Sequence, residues 1–406
     1  MMSTTDQLRS RLERYPADRY PAQHATAQFH LGTVFLEAQQ LPAALEAFDA
    51  AERLLAQVGM RLEYAKALMM QGVARRAIGE TDLAEYKFAS AAAVFATIGQ
   101  PSELAAAHFN LGLVRVEVGD LAAASESFDT AYDGFRATGQ RTWAAAAARE
   151  HGIARFTGGE PAAAIPLLEE AIELAGDADP NGAGAAANVL GLAQLAVDEP
   201  AAAMTSFRMA LRWHPRSVRP AEHAMVKANL ALAYEADGDQ ARARLTARHA
   251  LIVDRAPDEV RTVAEGVLRR LPPEDDSDLF RVLDEEPVER WEIWVRDEVL
   301  RWSESGPVAR NKEARRWRDQ QVRRGPTGVE HATVLLSVLL EMPPPAYEAI
   351  IAALVEAAAA ADPTESERFQ SVMRSAMARY PLPQWQRLAA SFTAAAELVG
   401  HDQQWR

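Results

Sequence analysis

The chain has 406 residues, 49% hydrophobic and 25% charged, which is room for two or three domains and too apolar for an intrinsically disordered chain. It carries no cysteine, which excludes a disulfide framework, a Cys-ligated zinc and a thiol nucleophile, and no apolar run of membrane-spanning length. With 57 Asp and Glu against 43 Lys and Arg, the net charge of −14 argues against bulk attraction to nucleic acid or an anionic membrane.

Residues Met1 to Ser10 have no basic start followed by an apolar block, so a signal peptide is not expected and a cytoplasmic location is. Only four basic residues are Lys (Lys66, Lys87, Lys227, Lys312), which with the abundant Ala fits a GC-rich bacterial coding bias. A leading helix is expected over Asp6 to Tyr15, ended by Pro16.

An internal repeat organises the next 230 residues. Gly32, Gly72, Gly112, Gly152, Gly191 and Ala231 recur in similar surroundings at intervals of 40, 40, 40, 39 and 40. Twelve residues after each lies Ala: Ala44, Ala84, Ala124, Ala164, Ala203 and Ala243. Sixteen after lie Phe48, Phe88, Phe128, Leu168, Phe207 and Ala247; nineteen after lie Ala51, Ala91, Ala131, Ala171, Ala210 and Ala250.

Within a copy, the Ala, the aromatic and the second Ala lie four and three apart, on one face of a helix. The earlier glycine belongs to a preceding helix, where a small residue lets two helices approach closely. Between them fall Gly79, Gly119, Gly159 and Gly238, suited to a left-handed helix end. Pro42, Pro161 and Pro200 stand near second-helix starts. Each unit is therefore an antiparallel helix pair that cannot bury its own apolar face, so pairs stack.

These columns resemble the tetratricopeptide repeat family. The Leu-Gly of that family's first helix appears as Leu31-Gly32, Leu111-Gly112 and Leu190-Gly191, and its closing Pro once, as Pro215. The period of 40 is longer than the family's usual 34, as in kinesin light chains and bacterial peptide-sensing regulators. The aromatic of the third turn survives only as Phe35 and Tyr234, and the sixth copy loses both the Gly and the Phe. The resemblance spans residues 23–254. It implies an all-α, right-handed solenoid of six helix pairs, with Asp258 to Leu271 as a capping helix.

The last third differs in composition. Pro272 and Pro273 open a linker; Glu274 to Glu304 has 12 acids and four bases, and Pro307 to Arg324 has seven bases and two acids. Six of eight Trp lie beyond residue 290. Val288 to Ser303 places Val288, Trp291, Val295, Val299 and Trp302 at helical spacing. Further helices are expected over Arg310 to Arg323, His331 to Met342, Ala346 to Ala361, Thr364 to Tyr380 and Pro383 to Val399. Thr364 with Glu367 has capping-box spacing. The expected divisions are 1–22, a leading helix; 23–271, the solenoid with its cap; 272–330, linker helices; and 331–406, a helical C-terminal domain.

No phosphate loop, His-Glu-x-x-His, Gly-x-Ser-x-Gly or dinucleotide fingerprint occurs, and no two His lie four apart, so neither catalysis, a metal nor a cofactor is expected. Lone helical histidines such as His108 and His151 read as packed side chains. What the resemblance offers is a surface. It implies a concave groove lined by first-helix positions three before the glycine, one after and four after. Here these are Phe29, Thr33, Leu36; Met69, Val73, Arg76; Phe109, Leu113, Val116; Arg149, Ile153, Phe156; Asn188, Leu192, Leu195; and Ala228, Leu232, Glu235. Asn110 and Asn229 share one column of the family's carboxylate clamp, but the clamp's basic partners are missing.

A mostly apolar groove suits an amphipathic helix, from a partner or from the chain itself; the alternative is that these side chains pack on neighbouring helices. Arg75, Arg115 and Arg155 form a ladder three residues after successive glycines, suited either to local Glu or to an acidic helix such as Asp284 to Glu304. Trp291, Trp294, Trp302 and Trp317 are candidate tail contacts, and the tail's aromatic content is compatible with a homodimer. Arg310 to Arg324 mixes Arg with Trp317, a weak nucleic-acid signal against a solvated helix face. The reading is a protein-binding adaptor or scaffold without catalysis. Its alternatives are a peptide-sensing regulator, a nucleic-acid contact through Arg310 to Arg324, and an enzyme seated in the C-terminal third.

Overall fold

The computed structural model describes residues 3–252, 256–273, 278–400 and 405, and every regular element among them is a helix. The chain divides into two compact units, Met1–His214 and Pro215–Arg406.

The first unit opens with α1 (Thr4–Arg14), whose Ser3 hydroxyl and Asp6 carboxylate form a capping box. Five antiparallel pairs follow: α2 (Pro21–Glu37) with α3 (Leu41–Val58), α4 (Arg61–Ala77) with α5 (Thr81–Ile98), and α6 (Pro101–Glu117) with α7 (Leu121–Ala137). Then come α8 (Arg141–Thr157) with α9 (Pro161–Ala175), and α10 (Pro180–Ala196) with α11 (Pro200–Trp213). Each helix packs on the next in the chain, and successive first helices also touch. This is the stacked-pair order that the 40-residue period predicts.

The repeated columns are the core. In these five pairs every residue of the twelve, sixteen and nineteen columns is at most 1% exposed. The glycine column is small because the ring sixteen residues later lies against its backbone. A Cβ on Gly112 would stand 2.5 Å from Phe128 Cε1, and one on Gly72 would stand 2.6 Å from Phe88 Cε1. Between first and second helices, Gly79, Gly119 and Gly159 adopt φ of 81°, 82° and 81°. Pairs one and five lack that glycine, and Gln39 (φ 59°) and Asp198 (φ 64°) take the left-handed backbone instead.

The second unit begins with the sixth pair, α12 (Pro220–Ala236) and α13 (Gln240–Ala250). α14 (Asp258–Arg270), the expected cap, packs on both. Beyond Pro272 and Pro273, which lie inside this unit, come α15 (Asp278–Glu285) and α16 (Trp291–Glu304). They are followed by α17 (Pro307–Arg324), α18 (Pro326–Glu341), α19 (Pro344–Ala359), α20 (Pro363–Met377) and α21 (Leu382–Val399). The acidic run's first residues, 274–277, lie outside the described residues, as do 253–255 at the end of the sixth copy.

Two local expectations are corrected. α15 has no counterpart in the sequence reading; at eight residues it is too short to set up a helical period, although Leu279, Phe280, Val282 and Leu283 are all buried. The cap of α20 is Asp362, whose side chain accepts from the Thr364 and Glu365 amides, so Thr364 is inside the helix. Several helices start earlier than expected, at Pro307, Pro326, Pro344 and Pro363, because proline fits the first turn, where no amide partner is needed.

Candidate functional site

In the first unit the groove positions fall on five consecutive first helices, α2, α4, α6, α8 and α10. Met69 is buried, and the other fourteen are half-buried. Phe29 rests on the Ala25–Leu55 core and meets Phe48 at 5.8 Å between ring centroids. Val73 packs against the Phe88 core, Leu113 and Val116 against Phe128 and Ala154, and Phe156 against Leu168 and Leu190. The Thr33 hydroxyl donates to the Phe29 carbonyl at 3.1 Å. Arg76 Nε donates to Glu117 Oε1 on the next first helix at 2.7 Å, and Arg149 donates to Glu150 and faces Asp179. These side chains thus lean on their own and the following repeat while keeping part of their surface in solvent. The three sixth-pair positions lie in the second unit, where Ala228 is buried, Leu232 is half-buried and Glu235 takes a forked contact from Arg270 at 2.6 and 2.7 Å.

The Arg ladder turns toward the second helices and the turns, and its charge is spent locally. Arg75 donates to Glu80 at 2.6 Å and Arg155 to Glu160 at 2.8 Å. Arg115 binds Glu85 of the preceding second helix at 2.8 Å, together with the Ser127 hydroxyl at 2.7 Å. Buried Gln71 extends this polar seam, donating to Asp49 and Glu52 on α3 at 2.8 and 2.7 Å, and Lys87 completes it on Glu52. His151 accepts from Arg155 Nε at 3.3 Å, and burial pushes the imidazole pKa down against the opposing charge of Asp129. Burial and Arg115 likewise lower His108.

The acidic segment finds its partners inside the second unit. Lys227 Nζ meets Asp297 at 2.5 Å, His249 Nε2 meets Glu298 at 2.9 Å, and Arg244 grips Asp278 at 2.6 and 2.7 Å. Burial alone would raise the Glu298 pKa, but the His249 hydrogen bond and the Arg301 charge hold it well below the usual carboxylate range. The ladder thus has local Glu partners, the first of its two alternatives, and Asp278, Asp297 and Glu298 of the acidic segment have theirs within the second unit.

The four candidate tail tryptophans are core residues. Trp291, Trp294, Trp302 and Trp317 are 5%, 8%, 3% and 1% exposed. Trp294 packs on Tyr234 and His249, Trp302 on Trp317, and Trp317 on Phe280. A surface contact through them would require unpacking the unit. The basic stretch is also largely consumed. Arg310 donates to the carbonyls of Trp302, Ser303 and Ser305, Arg318 to Asp319 and the Ala357 carbonyl, Arg316 to Glu313, and Arg324 to Asp284. Lys312, Arg315 and Arg323 are left as its exposed bases. Among the described residues no cluster of His, Asp or Glu is arranged to hold a metal ion, and no helix is long and apolar enough to cross a membrane.

One surface residue escaped the sequence reading. Trp143, in the first turn of α8, is 53% exposed and stacks on Phe135 at 5.9 Å with 28° between planes. The signal was positional: nine residues before each glycine the column reads Gln23, Glu63, Glu103 and then Trp143.

Stacked antiparallel helix pairs with a glycine seated under an aromatic define an α-solenoid. The model of the tetratricopeptide repeat family matches residues 103–177, the third and fourth of these pairs. No curated protein sequence matches the chain. Among solved structures, the apo form of RapI has a TM-score of 0.51 at 13% identity, over 66% of this chain and 80% of its own. The apo form of the quorum sensor NprR from B. thuringiensis has a TM-score of 0.49 at 11% identity, over 97% and 92%. BtubC (BKLC) from P. vanneervenii has a TM-score of 0.45 at 16% identity, over 59% and 94%.

Proposed function

We propose that the protein is a non-catalytic adaptor whose first-helix wall in the Met1–His214 unit holds the apolar face of a helix from a partner protein. One observation carries this reading. Five consecutive first helices present half-buried Phe, Leu, Val and Ile side chains, while Arg75, Arg115 and Arg155 pair on the second-helix side and the two groove arginines, Arg76 and Arg149, are paired with Glu117 and Glu150. A contiguous row of partly exposed apolar side chains on a folded domain favours association, and a helix laid across it would meet anchors at first-helix spacing.

The test is affinity purification from the native cell with the wild-type chain and with Leu113→Glu/Ile153→Glu, followed by crosslinking. The reading expects proteins retained by the wild type and lost by the variant, with crosslinks on α6, α8 and α10. Identical retention by both chains, or crosslinks confined to the second helices, refutes it. Recovery of a short peptide in place of a folded partner would make the protein a peptide-responsive regulator.

A further inference from the structure

Trp143 ends a chain of aromatic rings that climbs from the core to solvent. Phe128 and Phe135 are buried at 0% and 2% exposure; Phe109, at a groove position, meets Phe128 at 5.8 Å and Trp143 at 6.0 Å; Trp143 stacks on Phe135. The indole is therefore fixed on one face by Phe135 and on an edge by Phe109, and half of it stands in solvent. A large amphipathic side chain held rigid before binding is the kind that dominates interface energetics.

Its surroundings select the chemistry. Glu103 occupies the same register on α6, and Glu63 the same register on α4. Of the bases near this row, Arg136 is held over the Tyr132 ring and donates to its hydroxyl. Lys66 meets Glu103 only at 3.9 Å, with both groups substantially exposed, a pairing of little strength. Arg141 is turned away, donating to the carbonyls of Glu173 and Leu174 at the end of α9. Arg61 opens α4, two first helices away from Trp143. The unit as a whole has 26 Asp and Glu against 17 Lys and Arg. An open indole face on a unit of net negative charge attracts a cation through the ring quadrupole and that charge together.

We propose that the partner is a basic amphipathic helix that seats a Lys or Arg side chain on the open face of Trp143, with Glu103 in the same register on the preceding first helix. This rests on the groove reading above and adds the partner's charge and its anchor.

The test uses the full chain and three synthetic 18-residue helices with one Leu stripe and a polar face of Lys, Gln or Glu, followed by fluorescence anisotropy. The Lys helix is expected to bind at least tenfold tighter than the Glu helix. Trp143→Leu, checked for fold by circular dichroism, is expected to weaken the Lys helix about fivefold and to narrow its lead over the Gln helix, while Trp143→Phe retains part of that lead. Glu103→Gln is expected to narrow the lead too. Equal binding of the three helices, or a Lys preference unchanged in Trp143→Leu, overturns the inference and leaves the groove standing. Binding by none of the three overturns both.

Discussion

The seat of Phe128 on Gly112 gives the sharpest test of how the repeats are held. A Cβ at Gly112 would lie 2.5, 2.6 and 2.7 Å from three atoms of a ring that is 0% exposed, so the ring has nowhere to move. Ala in place of Gly inside a helix should by itself gain about 1 kcal/mol. Forcing a methyl into a filled core costs about 1–3 kcal/mol, and three close contacts to a rigid ring place this site at the upper end. Gly112→Ala is therefore expected to destabilise the first unit by about 1–2 kcal/mol, lowering its thermal midpoint by roughly 3–6 °C. Circular dichroism melts and urea titrations measure this. The mirror experiment is Gly266→Ala in α14, where the one neighbour is a guanidinium nitrogen of Arg270 at 3.3 Å, at the far end of a long side chain; there Ala should stabilise by about 0.5–1 kcal/mol. A cycle with Phe128→Ala closes the argument: the double variant should lose about 1 kcal/mol less than the sum of the singles, because the methyl enters the space the ring leaves. If Gly112→Ala stabilises as Gly266→Ala does, the close-approach account of the glycine column is wrong.

Other consequences follow from single sites. His331 is fully buried between Trp291 and Phe280, and burial, aided by Arg324, pushes its pKa down to about 4. The neutral imidazole belongs to the fold, so its stability is intact above pH ~6.5 and fades as pH falls toward 4, by up to about 3 kcal/mol. Urea midpoints of wild type and His331→Leu should accordingly converge or cross on acidification through that window, and parallel curves would refute it. Gln39→Gly and Asp198→Gly, which relieve left-handed backbone, should each raise stability by about 0.5–1 kcal/mol in thermal melts; a loss would place the strain elsewhere. Lys227→Met leaves Asp297 without its closest cation and should cost about 3 kcal/mol, most of it restored by adding Asp297→Leu; no recovery in the double variant would refute the pairing.

The solenoid was legible because it is periodic: three small or apolar columns in register through six copies leave one way to bury them. The Arg ladder was legible as residues but not as an orientation, since the choice between Glu80, Glu85 and Glu160 and an outside partner depends on which side of the first helix the column faces. The tryptophans misled for a related reason. Trp302 and Trp317 sit in charged stretches, and local composition suggests a surface. Charged neighbours such as Glu298, Arg301 and Glu313 pair with one another at the edge of the aromatic core, which the stretch composition cannot reveal. α15 was too short to carry a period, and Trp143 too isolated to register as a pattern.

The two faces of the first helices divide the physical labour. On the second-helix side, first-helix positions carry polar residues: Gln71, one before its glycine, with Asp49 and Glu52; Arg115, three after, with Glu85 and Ser127; and Gln194, three after, with Ser206 at 2.7 Å. Buried or half-buried hydrogen bonds of this kind add modest net stability but penalise any slip in register, because a displaced Gln71 or Gln194 would be left without its partners. Apolar stacking alone is tolerant of small shifts, so the polar seam fixes how helices meet within a pair and between one pair and the next. The opposite side, besides the Arg76–Glu117 and Arg149–Glu150 pairs, carries Phe109, Leu113, Ile153 and Phe156, each packed in part and half-buried. Replacing Ser206 and Gln194 together by Ala and Leu should therefore keep the α10–α11 pair folded while loosening its register. Faster amide exchange in α11 at unchanged global stability would express that loosening, and unaltered exchange would show that packing alone sets the register.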